Sequence, residues 1–153
     1  MFKEELIKFS RAVRHSTLKR LRKIPKGYEN WKPTANVLTI AEITKHLIDC
    51  DYWLFEKMTN ESLKSTVPET NSFLINKREE FENLLEELKE TQVKREQLIR
   101  MLTEEKLFHK IFDDRFNDKV TVWWIIVRGN LDHEIHHRGQ IALYLKLIDQ
   151  NIN

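Results

Sequence analysis

The strongest constraint on this chain is a stretch near its C-terminus in which an apolar helical period carries two histidines. Over residues 121–149, Trp123, Ile126, Asn130, His133, His137, Ile141, Tyr144 and Ile148 recur every three or four positions, which is one face of a long helix. His133 and His137 are about 40° apart around that axis, so both imidazoles reach one point in space. His136 falls about 60° to the other side and is less well aligned. Gly129, His133, His137, Gln140 and Tyr144 form a polar island in an otherwise apolar seam. Two imidazoles buried in such a seam are costly unless something satisfies them. A metal ion would, provided the fold brings further ligands over this face.

The rest of the chain supplies helices to do so. Only three glycines and three prolines interrupt it, which favours long helices over a turn-rich β fold. A first helix is expected over residues 2–23, with Leu6, Phe9, Val13, Leu18 and Leu21 as its stripe and Pro25 and Gly27 as its stop. Its cations Arg11, Arg14, Lys19, Arg20, Arg22 and Lys23 read as a solvated face. Residues 28–34 have no periodicity but carry aromatics, and Trp31 is expected either to lie over the core or to line a ligand pocket. Thr39 and Glu42 make a capping box for a second helix running to about residue 58. There Ile43, Leu47, Cys50 and Leu54 are the buried stripe, His46 stands at its margin, and Asp49 and Asp51 are expected to face solvent. Residues 60–71, with Pro68, read as a polar connection. A third, amphipathic helix is expected over 73–102, its acidic run from Glu79 to Glu90 solvated. Residues 107–120 break the period, which suggests a long connection with a short β-like pairing. Asp113, Asp114 and Asp118 there lack EF-hand spacing and read as turn residues. The expected fold is all-α: one domain over residues 1–153, a four-helix bundle with long inter-helix connections.

The 26 Lys and Arg against 24 Asp and Glu leave a charge of +2, too balanced to point to a nucleic-acid or membrane partner. A single cysteine excludes an internal disulfide, no charged start leads into an apolar run, and no segment nears the roughly 20 apolar residues of a membrane span. A cytoplasmic protein is expected. His46 with His133 and His137 would offer three neutral nitrogens to one divalent ion and leave a position for water or substrate. Zn²⁺, Ni²⁺ and Fe²⁺ all suit imidazoles. Cys50, one turn from His46, is either a fourth soft ligand, a reactive thiol or a small buried side chain. The same C-terminal residues also match H-E-x-x-H, in which Glu134 would be the general base of a zinc hydrolase. The extended form of that motif wants histidine where Leu143 stands, so Glu134 reads as an exposed residue completing the pattern by chance.

Three blocks resemble the DinB-like (DinB/YfiT-like) family of metal-dependent bundle proteins. They are Ile24-Pro25 leading to Trp31-Lys32-Pro33-Thr34; Thr39 to Ile43 with Lys45-His46-Leu47 and Tyr52-Trp53; and His133 to Ile141 with Tyr144-Leu145. The resemblance implies a four-helix bundle, a metal triad at His46, His133 and His137, and a homodimer. It also implies use of a low-molecular-weight thiol, since the family includes thiol S-transferases and a thiol-dependent isomerase. The expected function is thus a metal-dependent thiol S-transferase acting on a small-molecule electrophile. In it Tyr144 and Gln140 would orient substrate, Arg138 would bind a cofactor carboxylate and Trp31 would line the pocket. The alternative is a stress-associated metal-binding or dimerising protein without turnover.

Overall fold

The apolar stripes find their helices, except that Phe9, expected in the first stripe, is exposed while Ile7 is buried, and the helix ends are set by local chemistry. In the computed structural model, which describes residues 2–65 and 73–152, α1 (Phe2–Leu21) buries Leu6, Ile7, Val13, Leu18 and Leu21 and ends ahead of Pro25. The turn after it needs a left-handed residue, and Gly27 supplies it at φ +93°. The start of α2 (Ile40–Thr59) is held by the expected capping box: Glu42 N donates to Thr39 Oγ1 (3.0 Å) and Thr39 N to Glu42 Oε2 (2.7 Å).

The third helix, α3 (Arg78–Met101), starts later than the expected residue 73. Ile75 is claimed first by the loop after α1, its N–H donating to Asn30 Oδ1 (3.0 Å) and its carbonyl accepting from Asn30 Nδ2 (2.6 Å). That pairing keeps the segment non-helical until Glu80 Oε2 accepts from the Asn76 and Lys77 N–H groups and opens the helix. Of the polar connection expected at 60–71, residues 66–71, including Pro68, lie outside the described residues.

After the short α4 (Glu104–Leu107), the β-like pairing expected in 107–120 is an antiparallel hairpin of β1 (Lys110–Asp113) and β2 (Asp118–Thr121) with Ile111 opposite Val120. Its turn includes Asn117 at φ 51°, and Asp113 there pairs with Arg115 (2.7 Å). The expected fourth helix is divided. It begins as α5 (Val122–Trp124), widens into a π-helical segment (Ile125–Leu131) and continues as α6 (Asp132–Ile152). A π-helical turn displaces the residues beyond it around the axis, a register that an apolar period does not reveal.

The molecule is mostly helical, and two apolar clusters show how its long elements run. One cluster takes Leu18 and Leu21 from α1, Ile43 and Leu47 from α2, Phe81 and Leu88 from α3, and Ile141 and Ile148 from α6. The other takes Leu6 and Ile7, Leu54, Ile99, and Ile125 and Leu131 from the π-helical segment. Passing from one cluster to the other, α1 and α6 run one way while α2 and α3 run the opposite way. The end of α2 and the start of α3 therefore lie at opposite ends: Ser65 N–H donates to Asp114 beside the hairpin, whereas Ile75 is tied to Asn30 at the far end. Lys57, 1% exposed, anchors the near end by donating to the carbonyls of Glu61, Leu63 and Phe112 (2.6, 2.7 and 2.9 Å).

Between the clusters lies a polar layer that overturns three expectations. Arg14, read as solvated, is 1% exposed, and Asp51 and Glu134, read as solvent-facing, are 1% and 2% exposed. Arg14 donates from Nε to Glu134 Oε1 (2.8 Å) and from Nη2 to Asp51 Oδ2 (2.7 Å). Arg95 of α3 donates from Nη1 to Glu134 Oε2 (2.9 Å), Asn130 Oδ1 (2.9 Å) and Asp51 Oδ1 (3.2 Å). Ser10, Gln92 and Thr91 satisfy further polar atoms, and no buried side-chain nitrogen or oxygen among the described residues lacks a partner. Two guanidinium and two carboxylate charges balance, so the helices can bury them. No isolated helix can show this, because each charge is compensated from another element.

Candidate metal centre

The polar layer aims the histidines. Neighbouring residues on a helix point about 100° apart. Asp51 and Glu134 are locked into the layer, so Cys50 and His133, one position before each, are turned to the adjoining side of α2 and of α6. There His46 Nε2 and His133 Nε2 are 2.7 Å apart, and His133 Nε2 and His137 Nε2 are 3.1 Å apart. The three rings meet edge to face, with centroids 4.5 to 5.0 Å apart. His136 is exposed.

Cys50 belongs to the same group. Its Sγ lies 3.6 Å from His46 Nε2, and donor atoms of His46, Cys50 and His133 all fall within 4.8 Å of one another. His137 is tied to this group through His133. The donors that converge on one another are thus His46, Cys50 and His133, a set able to hold a metal, with the third expected histidine, His137, beside it through His133. Around zinc, with arms of about 2.0–2.1 Å to nitrogen and 2.3 Å to sulfur, tetrahedral geometry separates two nitrogens by about 3.3 Å and nitrogen from sulfur by about 3.6 Å. The His133–His137 separation is about 0.2 Å short of that and the His46–His133 separation about 0.6 Å short, while the sulfur–nitrogen separation matches it. An ion between them would need His46 and His133 to move apart.

Protonation favours the same use. Burial pushes His133 and His137 down to about 4, and the neighbouring imidazoles add to the effect; burial also lowers His46. All three rings are therefore neutral at pH 7, as ligands must be. Gln140 Oε1 accepts from His137 Nδ1 (2.7 Å), which fixes the tautomer and leaves the Nε2 lone pair facing His133. Burial pushes the Cys50 thiol up to about 12, so it stays protonated when no cation is beside it.

Glu134 takes no part in this face. Burial alone would raise its carboxyl, but Arg14 and Arg95 overcome that and hold it down to about 2. With both oxygens accepting from guanidinium groups, it is a fixed structural anion, neither exposed nor incidental.

A cavity of about 590 Å³ reaches the centre only through Gln140: it is lined by Lys32, Asn36, Val37 and Leu38 of the loop before α2 and by Glu42 and Gln140, and by none of the histidines or Cys50. Gln140 faces both the cavity and His137. Of the other expected site residues, the Tyr144 hydroxyl donates to O of the cavity-lining Leu38 (3.0 Å), and Trp31 packs edge-on against the Tyr144 ring at 5.6 Å. Arg138 is half-buried and makes no ion pair among the described residues. The cation at the cavity is Lys32, which sequence reading passed over because it is a single charge in an aperiodic loop.

Comparison with known proteins gives the chain a family and supports its fold. Residues 11–141 match the model of the DinB superfamily. Uncharacterized protein YjoA of Bacillus subtilis (strain 168) is 29% identical over 126 residues, covering 81% of this chain and 76% of that protein. The crystal structure of YjoA, titled a DinB-like protein, superposes with a TM-score of 0.69 at 21% identity, covering 95% of this chain and 92% of that one. An uncharacterized protein from Clostridium difficile 630 superposes with a TM-score of 0.72 at 17% identity, covering 95% and 96%. At these identities the two structures speak for the fold alone.

Proposed function

The chain belongs to the DinB superfamily, and on that premise we propose that it is a divalent-metal-dependent enzyme that transfers a low-molecular-weight thiol to a small electrophile. The observation that carries this reading is the convergence of neutral ring nitrogens from His46, His133 and His137 beside an open cavity. Zn²⁺, Ni²⁺ and Fe²⁺ are the candidate ions, and a bound one supplies the charge that lowers the pKa of a thiol at the site. The chain's own residues do the rest. Gln140 holds His137 in one tautomer, and Lys32 offers a cation to a carboxylate on the thiol or the electrophile. Trp31 and Tyr144 brace the loop that forms the cavity wall. In the same reading the long helices are a four-helix bundle in one domain, and the protein works as a cytoplasmic homodimer.

The test is thermal-shift screening with divalent metals and small thiols, singly and together, followed by turnover with a chlorinated aromatic electrophile. The expected result is a metal-dependent rise in melting temperature, a further rise with one thiol, and turnover abolished in His137→Ala. Metal binding with no turnover for any thiol would leave a metal-holding protein instead. An unchanged melting temperature with every metal would sink the metal reading altogether.

A further inference from the structure

We propose that Cys50 is a metal ligand, so that this chain offers a mixed imidazole and thiolate donor set built on His46, Cys50 and His133, with its sulfur taking a position that histidines alone would leave to water or substrate. The inference rests on the metal-site reading above. Its own support is geometric. Cys50 Sγ and His46 Nε2 are 3.6 Å apart, the separation that a tetrahedral zinc site with one sulfur and one nitrogen requires. The group whose donors converge within 4.8 Å is His46, Cys50 and His133. Two features of the fold hold the sulfur there. His46 and Cys50 are four residues apart on α2 and so share a face. Asp51 is pinned by Arg14, Arg95, Thr91 and Asn130, which prevents α2 from rotating Cys50 away.

The chemistry has two consequences. On coordination the thiol proton leaves to solvent as the sulfur–metal bond forms, so binding releases one proton per chain from this residue. One thiolate among imidazoles also favours borderline-soft Zn²⁺ over Fe²⁺. Cys50 then stands where a substrate thiol would bind, and the two sulfurs compete.

Cys50 is the only cysteine in the chain, which makes the test clean. Metal-stripped protein in thiol-free buffer is titrated with Co²⁺ and its absorption recorded. Wild type is expected to bind one Co²⁺ per chain with a near-ultraviolet sulfur-to-cobalt charge-transfer band. Cys50→Ser is expected to keep Co²⁺ but lose the band, and to bind Zn²⁺ at least about tenfold more weakly. A second measurement needs no variant: Zn²⁺ should slow alkylation of Cys50 by iodoacetamide at least about tenfold in wild type and not in His133→Ala. Stoichiometric Co²⁺ in wild type without the band would overturn the proposal while leaving the histidine site standing. Failure of wild type to bind Co²⁺ or Zn²⁺ at all would remove the metal reading and the proposal together.

Discussion

At the scale of single residues, burial separates what these side chains can do. Arg14 and Glu134 lie in the polar layer, where each satisfies charges from other helices. Removing one partner leaves the others buried and unpaired, so Arg14→Leu should cost about 3–5 kcal/mol, read as a lower urea midpoint. Glu134→Gln should likewise destabilise, whereas a hydrolytic base would lose activity at unchanged stability. The histidines predict a pH dependence for the metal-free protein. His133 and His137 lie near 4 in the fold against 6.5 as their ordinary value, so the unfolded chain binds more protons between those limits. Stability should fall as pH drops from about 6.5 to about 4. Glu134, depressed to about 2 from 4.5, adds a second loss that starts near 4.5 and continues toward 2. Urea midpoints between pH 7.5 and 4 should decline in wild type and decline less in His133→Gln. A midpoint that rises on acidification would contradict the assigned neutrality. The two arginines show the limit of reading residues singly. Arg14 belongs to a run of cations that looks solvated, and Arg95 to a heavily charged helix, and neither neighbourhood signals a partner on another element.

Among the elements, α2 was the most legible, because its start depends on groups three residues apart. Thr39 and Glu42 cap each other, and Thr39→Ala should cost about 1 kcal/mol, checked by denaturant titration. Because Glu42 also lines the cavity beside Gln140, the same variant should weaken thiol or electrophile binding more than it weakens metal binding. Isothermal titration with each ligand would separate the two effects; equal losses would mean that the cap does not shape the cavity. The other element ends were legible only in part. The start of α3 depends on Asn30, 45 residues upstream of Ile75. The π-helical segment follows no apolar period of its own: Ile126, Asn130 and His133 fit an ordinary α-helical face, yet the backbone widens before His133 is reached. Gly129 lies in that segment, and a Cβ there would stand 2.5 Å from Arg115 Nη2, whose Nη1 donates to Gly129 O. The hairpin that carries Arg115 thus braces the segment just before the histidines.

For the whole molecule, the site is the junction of elements distant in sequence, so a ligand that joins them should stabilise all of them. A metal at about one hundred times its dissociation constant should contribute about 2.7 kcal/mol, equivalent to a melting shift of roughly 5–10 °C in a chain of this size. Chelation should reverse the shift, and His46→Ala should abolish it without removing the α2 cap; a full shift in His46→Ala would contradict the joint site. Light scattering tests the proposed homodimer, for which the expected mass is twice the 18.5 kDa chain. No helix among the described residues is long and apolar enough to cross a membrane. What the sequence by itself determined was whatever repeats along one helix: the apolar faces, the Thr39 cap, and the placing of His133 and His137 on one face, with His46 suggested by its place at a margin. What only the tertiary structure decided was whatever needs groups from different parts of the chain: the charge-balanced layer, the meeting of α2 with α6 that sets His46 and Cys50 beside His133, and Lys32 at the cavity. The physical reason is that a buried charge or a metal donor is tolerated only through its partners, and in this chain those partners come from other parts of the sequence.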